Sequence, residues 1–316
     1  MDDFQGRRTG ESASERMGEG TDGSAGGSTD GSAGGSTADE RLAELFAFLR
    51  RRVTGEYEVD EFGFDPELNE KVLLEALRPL YRRWFRTETL GLGNVPADRG
   101  ALIVANHSGT LPVDALMLQV AVHDELGRPL RLLGAHLVYQ LPVLGHLARK
   151  SGHTLACPED ADRLLRKGEV VGVFPEGFKG IGKPFSERYR LQRFGRGGFV
   201  ASAIRAGVPI IPCTIVGAEE IYPKIGDIPA LARLLGLPYL PITPLFPWLG
   251  PLGLLPLPSK WLIEFGEPIR TDEYAPEEAD DPMVVFDLTD HVRETVQRQL
   301  DALRLRRGPA FPPIVL

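Results

Sequence analysis

From Ala101 onward, short apolar runs alternate with stretches of helical periodicity, and few folds satisfy that alternation except βα units laid around a largely parallel sheet. Strands are predicted at Ala101 to Ala105, Leu130 to Leu133, Glu169 to Phe174, Val208 to Val216 and Trp261 to Phe265. Between and after them, helices are expected from about Val113 to Glu125, Leu137 to Lys150, Pro158 to Lys167, Gly198 to Ala206 and Val284 to Arg307. The simplest arrangement is one α/β domain over residues 87–307, with a mostly parallel central sheet flanked by helices and residues 308–316 as a short tail.

The part before this domain reads differently. Residues 21–36 repeat Thr-Asp-Gly-Ser-Ala-Gly-Gly-Ser twice, and the stretch to Thr37 has almost no apolar side chains to offset the entropy of ordering it. A disordered Gly/Ser-rich acidic tail is therefore expected over residues 1–37, followed by a helical N-terminal segment over 38–86. Within that segment a short helix runs from about Asp39 to Arg52, and a stronger one starts at Pro66, well suited to a first helical turn, and reaches about Arg86. The run Arg78-Pro-Leu-Tyr-Arg-Arg-Trp-Phe-Arg86 mixes cations and aromatics as interfacial segments do; alternatively it is a helix end whose cations complement the macrodipole.

The formal charge of −8 is concentrated in the first forty residues and in Asp272 to Asp281, which leaves the rest of the chain at about +4. A mildly basic body suits an anionic substrate or membrane surface. No nucleic-acid partner is expected. With two cysteines, Cys157 and Cys213, and no Cys/His cluster at ligand spacing, neither a disulfide framework nor a metal site is expected. The acidic start lacks a secretory pattern, so a cytoplasmic location is anticipated. Between Arg233 and Lys260 there is no charge, but seven prolines prevent an unbroken spanning helix. This segment, with Tyr239, Phe246 and Trp248, can dip into a headgroup layer, line an acyl-chain groove, or wrap irregularly around the core.

Three motifs carry chemistry. Asn106-His107-Ser108-Gly109-Thr110-Leu111-Pro112-Val113-Asp114 leaves a predicted strand and enters a predicted helix, where functional residues collect in α/β folds. A histidine there can take a hydroxyl proton near neutral pH, and a carboxylate on its other nitrogen would set the tautomer and stabilise the imidazolium. The bland alternatives are a first-turn carboxylate at a helix N-terminus and a packed histidine. Val173-Phe174-Pro175-Glu176-Gly177-Phe178-Lys179-Gly180 ends a second strand and is followed by Lys183, Arg188, Arg190, Arg193 and Arg196. Its glycines permit close backbone approach, and its cations, Lys179, Arg188 and Arg193 among them, are candidates for holding a phosphate. The third motif is the proline-framed strand Val208-Pro-Ile-Ile-Pro212.

In this order the motifs resemble the lysophospholipid and glycerolipid acyltransferase family, whose best-known members acylate 1-acylglycerol-3-phosphate; the resemblance runs from about Leu90 to Ile269. It implies that His107 and Asp114 form the catalytic pair, that Glu176 and Gly177 take part in acceptor binding, and that Val208 to Pro212 is the fourth family block. Acyl-CoA or acyl carrier protein would be the co-substrate, with no resident cofactor, a lipid acceptor as the other substrate, and the protein peripheral on the cytoplasmic face of a membrane. The chain departs from the family pattern in two blocks and at one further position. Six residues rather than four separate the histidine from the aspartate, as in the branch with monoacylglycerol and diacylglycerol acyltransferase-like proteins. The second block, which usually contains an arginine, is matched only loosely by Gly152 to Pro158, and Lys179 stands where phosphatidate-forming members commonly carry arginine.

Two other enzyme classes fail on specific residues. Gly177 to Pro184 nearly spells a phosphate-binding loop, but Pro184 supplies neither the hydroxyl nor the N–H that such a loop needs. No G-x-S-x-G elbow occurs, which removes the main support for a serine hydrolase. The non-enzymatic alternative is a lipid-binding or membrane-interaction protein on the same fold.

Overall fold

A computed structural model describes residues 38–107 and 109–311, and the expected tail over 1–37 lies outside the described residues. By its contacts the chain divides after Glu56 into two units. In the first, the described residues form the helix Ala38–Thr54, which leaves Leu45, Phe46, Leu49 and Val53 exposed.

The second unit, from Tyr57 onward, includes the helical run 66–84, of which Leu74 and Tyr81 lie in the core. Its start follows the local sequence: the Asp65 carboxylate accepts from the N–H of Leu68 at 3.0 Å, and Pro66 occupies the first helical position. Two π-helical turns, Asn69–Leu74 and Leu80–Trp84, interrupt the run, the second just after Pro79, which has no N–H for the regular ladder. The Arg78 to Arg86 stretch divides its side chains between two roles. Tyr81 and Phe85 are core residues, Phe85 stacking on Trp261 with ring centroids 4.4 Å apart, while Arg78 and Arg82 both hold Asp124, at 2.8 and 2.7 Å. Arg83 and Trp84 remain exposed.

Among the described residues the central sheet has seven strands in the order β1-β9-β6-β2-β5-β3-β4. They are β1 (Glu88–Leu90), β2 (Ala101–Ala105), β3 (Leu130–Gly134), β4 (Thr154–Leu155), β5 (Val170–Val173), β6 (Ile210–Val216) and β9 (Leu262–Phe265), while β7 (Gly226–Asp227) and β8 (Pro241–Ile242) form a separate small hairpin. All sheet pairings are parallel except β6 with β9, where Cys213 lies opposite Phe265. The expected mostly parallel sheet flanked by helices is the observed architecture. β1 and β4 carry too few residues to show a period, and they were not foreseen.

Both faces of the sheet are covered, as the near-continuous apolar strands require. Ala101, Ile103 and Ala105 of β2 point to one core, with Met117, Leu118 and Val122 of the helix Val113–Leu126. Leu102 and Val104 point to the other, where the helices Gly198–Ala206 and Pro282–Arg306 pack, the latter through Leu288, Val292, Val296 and Leu300 at spacings of four. The single helix expected near Leu137 to Lys150 is two, His136–Gln140 and Pro142–Lys150, because Leu141 is extended ahead of a proline. Cys157 and Cys213 are free thiols, and burial pushes the Cys213 thiol up.

Candidate active site

β2 is hydrogen-bonded to β5 on one side and β6 on the other, so the loops leaving β2 and β5 diverge from neighbouring strand ends, the place where α/β sheets hold ligands. Asn106 extends β2 by one residue through its side chain. Its amide donates to the Ile215 carbonyl at 3.0 Å and its oxygen accepts from the Ile215 N–H at 2.7 Å, with the whole residue buried. His107 follows this fixed point, its ring 4.5 Å from the Phe174 ring between centroids.

The chain then reverses through two left-handed residues, Gly109 (φ +94°) and Thr110 (φ +66°). Thr110 tolerates this unusual conformation because it is held three times: its N–H donates to Ile181 O at 3.2 Å, its hydroxyl to Tyr222 O at 3.3 Å, and its carbonyl accepts from the Tyr239 phenol. The turn absorbs the longer spacing and delivers Asp114 in the first turn of the helix Val113–Leu126, with Asp114 Oδ2 2.8 Å from His107 Nδ1. Asp114 is wholly buried, and its other oxygen accepts from the Ala115 N–H at 2.9 Å. A carboxylate accepting from Nδ1–H leaves Nε2 as the basic nitrogen. The two extra residues thus lengthen the turn without separating the pair.

Glu176 is placed differently from a ligand-facing acid. One carboxylate oxygen accepts from the His107 backbone N–H at 2.8 Å, the other from the Gln192 N–H at 2.6 Å, and Lys183 Nζ lies 3.7 Å away. The carboxylate is buried and ties the β2 loop, the β5 loop and the 189–192 segment together. Gly177 turns the chain at φ +55° and ψ −142°, a region open to glycine alone, into the short helix Phe178–Ile181. In that helix Gly180 backs directly onto the site: a Cβ there would fall 2.7 Å from Glu176 Cβ and 3.0 Å from His107 Cβ.

The cations separate into two groups. Lys179 and Arg193 are exposed, as are Arg190 and Arg196. Arg188 is exposed as well, but it lies over the Phe185 ring at 4.3 Å and borders a narrow cleft with Gly109, Thr110, Ile181, Lys183 and Lys224. Lys183, expected among the phosphate candidates, is buried between carboxylates, 3.1 Å from Glu219 and donating to Arg190 O at 3.1 Å. It is better described as a brace than as a ligand group. Lys224, which the sequence reading passed over, donates to Gly182 O at 2.7 Å on the other side of the cleft.

Glu219 and Glu220 were also passed over, although they lie three and four residues past the end of β6, close to the two that separate His107 from the end of β2. Glu220 accepts from Tyr189 Oη at 2.6 Å, Ser259 Oγ at 2.7 Å and Arg307 Nη1 at 2.8 Å. Burial raises the pKa of Glu219 to about 7, against the pull of Lys183 and the Tyr189 N–H. Between the unfolded value near 4.5 and this one, the folded chain keeps a proton that the unfolded chain has lost, so this group's contribution to stability falls as pH rises through that window. Glu219→Gln is expected to remove that slope. The melting temperature of the wild type minus that of the variant should drop by roughly several degrees between pH 4.5 and 7.5 in paired thermal scans.

In the loosely matched second block, Gly152 to Pro158, the histidine is structural. His153 Nε2 faces Gln119 Oε1 at 3.2 Å, and burial, helped by Arg131, lowers its pKa to about 4, which keeps the ring neutral.

Residues 86–216 match the model of the acyltransferase family. An uncharacterized protein of Mycobacterium tuberculosis is 60% identical over 272 residues, covering 85% of this chain and 76% of its own length. A Gallus gallus protein named DGAT1/2-independent enzyme synthesizing storage lipids is 31% identical over 192 residues, 60% of this chain and 54% of that one. The chloroplastic 1-acyl-sn-glycerol-3-phosphate acyltransferase BAT2 of Brassica napus is 27% identical over 151 residues, 44% of this chain and 40% of that one. Among solved structures, the 1-acyl-sn-glycerophosphate acyltransferase PlsC of Thermotoga maritima shares the fold, with a TM-score of 0.50 at 20% identity over 85% of this chain and 91% of its own.

Proposed function

The chain belongs to the acyltransferase family, and we propose that it moves a fatty acyl group from the thioester of acyl-CoA or acyl carrier protein to a hydroxyl of a lysophospholipid or another glycerolipid. The observation that carries this reading is the 2.8 Å contact between His107 Nδ1 and the buried Asp114 carboxylate at the end of β2. With Nδ1–H directed at Asp114, Nε2 takes the proton of the acceptor hydroxyl as that oxygen attacks the thioester carbonyl. The tetrahedral intermediate collapses with cleavage of the carbon–sulfur bond, and the imidazolium returns its proton to the departing thiolate. Asp114 stabilises the imidazolium between these steps, as a buried carboxylate does best. Neither cysteine is needed as a nucleophile, and Cys213 is buried with its thiol held protonated.

Arg188 and Lys224, on the borders of the cleft, suit an anionic group on donor or acceptor. The reading places the protein peripherally on the cytoplasmic face of a membrane, where a lipid acceptor and a soluble donor meet. Two relatives are named for different lipids, storage lipids in one and 1-acyl-sn-glycerol-3-phosphate in the other, so both belong in the test.

That test is thiol release from long-chain acyl-CoA by purified protein in liposomes, across lysophosphatidic acid, other lysophospholipids, monoacylglycerol and diacylglycerol, repeated with an acylated carrier protein as donor. Release that depends on one acceptor is expected and identifies it. Lipid binding without release from any donor and acceptor pair would replace this reading with a non-catalytic lipid-binding one.

A further inference from the structure

The uncharged Leu/Pro-rich segment left three alternatives open, and its surface narrows them. Trp248 is 73% exposed, Leu252 64%, Leu255 59% and Leu249 52%, in one short stretch of chain. Scattered apolar residues on a surface are ordinary; four large ones clustered in a single loop mark an interaction surface.

The loop's backbone is unusual for an exposed connection because it is closed on itself. The Leu249 N–H donates to Leu245 O at 2.9 Å, Gly250 to Pro247 O at 2.8 Å, Leu252 to Leu249 O at 3.2 Å and Leu255 to Leu252 O at 3.1 Å. Thr243 Oγ1 accepts from Phe246 N–H at 2.9 Å, and Pro244, Pro247, Pro251 and Pro256 have no N–H to satisfy. Irregular backbone can enter a poorly hydrated layer only when its polar groups are paired in this way. A loop bound for bulk water has no such requirement.

Charge at its base points to the occupant. Trp84 Nε1 donates to Pro256 O at 2.9 Å and Arg86 Nη2 to Pro258 O at 2.9 Å, which sets Trp84 and Arg86 beside the loop's root, with exposed Arg83 next to Trp84 in the chain. Lys260 is also there, paired with Glu88. An apolar tip over a base carrying arginines and an indole fits anionic headgroups above acyl chains. Among the described residues no helix is long and apolar enough to cross a bilayer.

The loop is also fastened to the candidate active site. Tyr222, whose carbonyl accepts from Thr110, donates through its phenol to Leu254 O at 2.6 Å, and Leu257 N–H donates to Ile221 O at 3.0 Å. We propose that residues 243–257 form a membrane-docking loop that seats in the headgroup layer of an anionic bilayer and presents the cleft beside His107 to lipid. What the docking serves rests on the acyl-transfer reading; the docking itself can be measured without turnover.

The experiment uses the full chain carrying His107→Ala, mixed with vesicles of phosphatidylcholine with or without phosphatidylglycerol, some with brominated acyl chains. Tryptophan emission should be quenched by brominated lipid, and Trp248→Phe should remove most of the quenching. In the otherwise wild-type chain, Leu249→Ser, Leu252→Ser and Leu255→Ser together should weaken vesicle partitioning by at least about 30-fold. They should leave both the melting temperature and the turnover of a water-soluble short-chain donor and acceptor unchanged. Absence of vesicle binding, or binding with Trp248 unquenched, overturns the proposal. So does conversion of a wild-type dimer to monomers by the triple serine variant in lipid-free sedimentation, which would assign the loop to a second copy of the chain. Quenching of Trp248 in a protein that acylates no acceptor would sustain the docking and defeat the acyl-transfer reading.

Discussion

His107→Gln is expected to slow acyl transfer by roughly 10²–10⁴-fold, the range over which a positioned general base acts, with the melting temperature within a few degrees of the wild type. The amide can still reach Asp114, which accepts only, but it offers no basic nitrogen to the acceptor hydroxyl. Asp114→Asn should cost a comparable factor for a different reason. An asparagine amide in place of Oδ2, 2.8 Å from Nδ1, turns the contact around, favours the tautomer with Nε2 protonated and withholds the basic nitrogen from substrate. The check is kcat measured against pH for each variant with the best acceptor. Retention of more than a tenth of wild-type kcat in both variants would remove the pair from the mechanism and return it to the bland reading of a capped helix start beside a packed imidazole.

Glu176→Ala should produce the largest loss of stability at the site. It leaves the His107 and Gln192 N–H groups, bonded at 2.8 and 2.6 Å in the native chain, without acceptors in a buried setting, and takes one of the two carboxylates from buried Lys183. Unsatisfied buried donors and a half-stripped buried cation together cost about 3–5 kcal/mol, or roughly 10 °C in melting temperature for a domain of this size. Activity should fall through kcat, because the backbone that positions His107 is released. Glu176→Gln should lose about half as much stability, since its amide oxygen can keep one of the two N–H groups. The resemblance to glycerolipid acyltransferases implies a role for this residue in acceptor binding, and that makes the opposite prediction: an unchanged melting temperature with a raised KM for acceptor. Thermal scans beside initial-rate kinetics distinguish the two.

Most strands of the sheet were legible along the chain for one reason. Their signals are local. Ala101 to Ala105 reads as a strand because five apolar residues precede a polar break, and it is a strand over those same residues. Gly198 to Ala206 reads as a helix from its periodicity, and it is a helix over those same residues, flanked by Gly197 and Gly207 at positive φ. β1 and β4 escaped because two or three residues carry no period, and the break at Leu141 because a proline at a helix start looks the same in sequence as one inside a helix. The resemblance located His107 and Asp114 and left open what the two extra residues between them do.

The environment of that pair depends on partners far apart in sequence. Asn106 is fixed by Ile215, His107 by Glu176, Lys183 by Glu219, and Tyr189 by both Glu219 and Glu220. Each link joins the end of one strand to the loop after another, so it exists only once β5, β2 and β6 lie side by side. For the same reason a row of cations that looks uniform on paper divides in space: Lys183 is drawn inside to balance carboxylates, while Lys179 and Arg193 remain in water. Periodicity and strand-end motifs are properties of neighbouring residues, and they were enough to specify the layers and to mark His107 as a candidate base. Burial, charge pairing and the exposure of the 243–257 loop are properties of the packed chain, because which side chains lose water is settled only when distant segments meet.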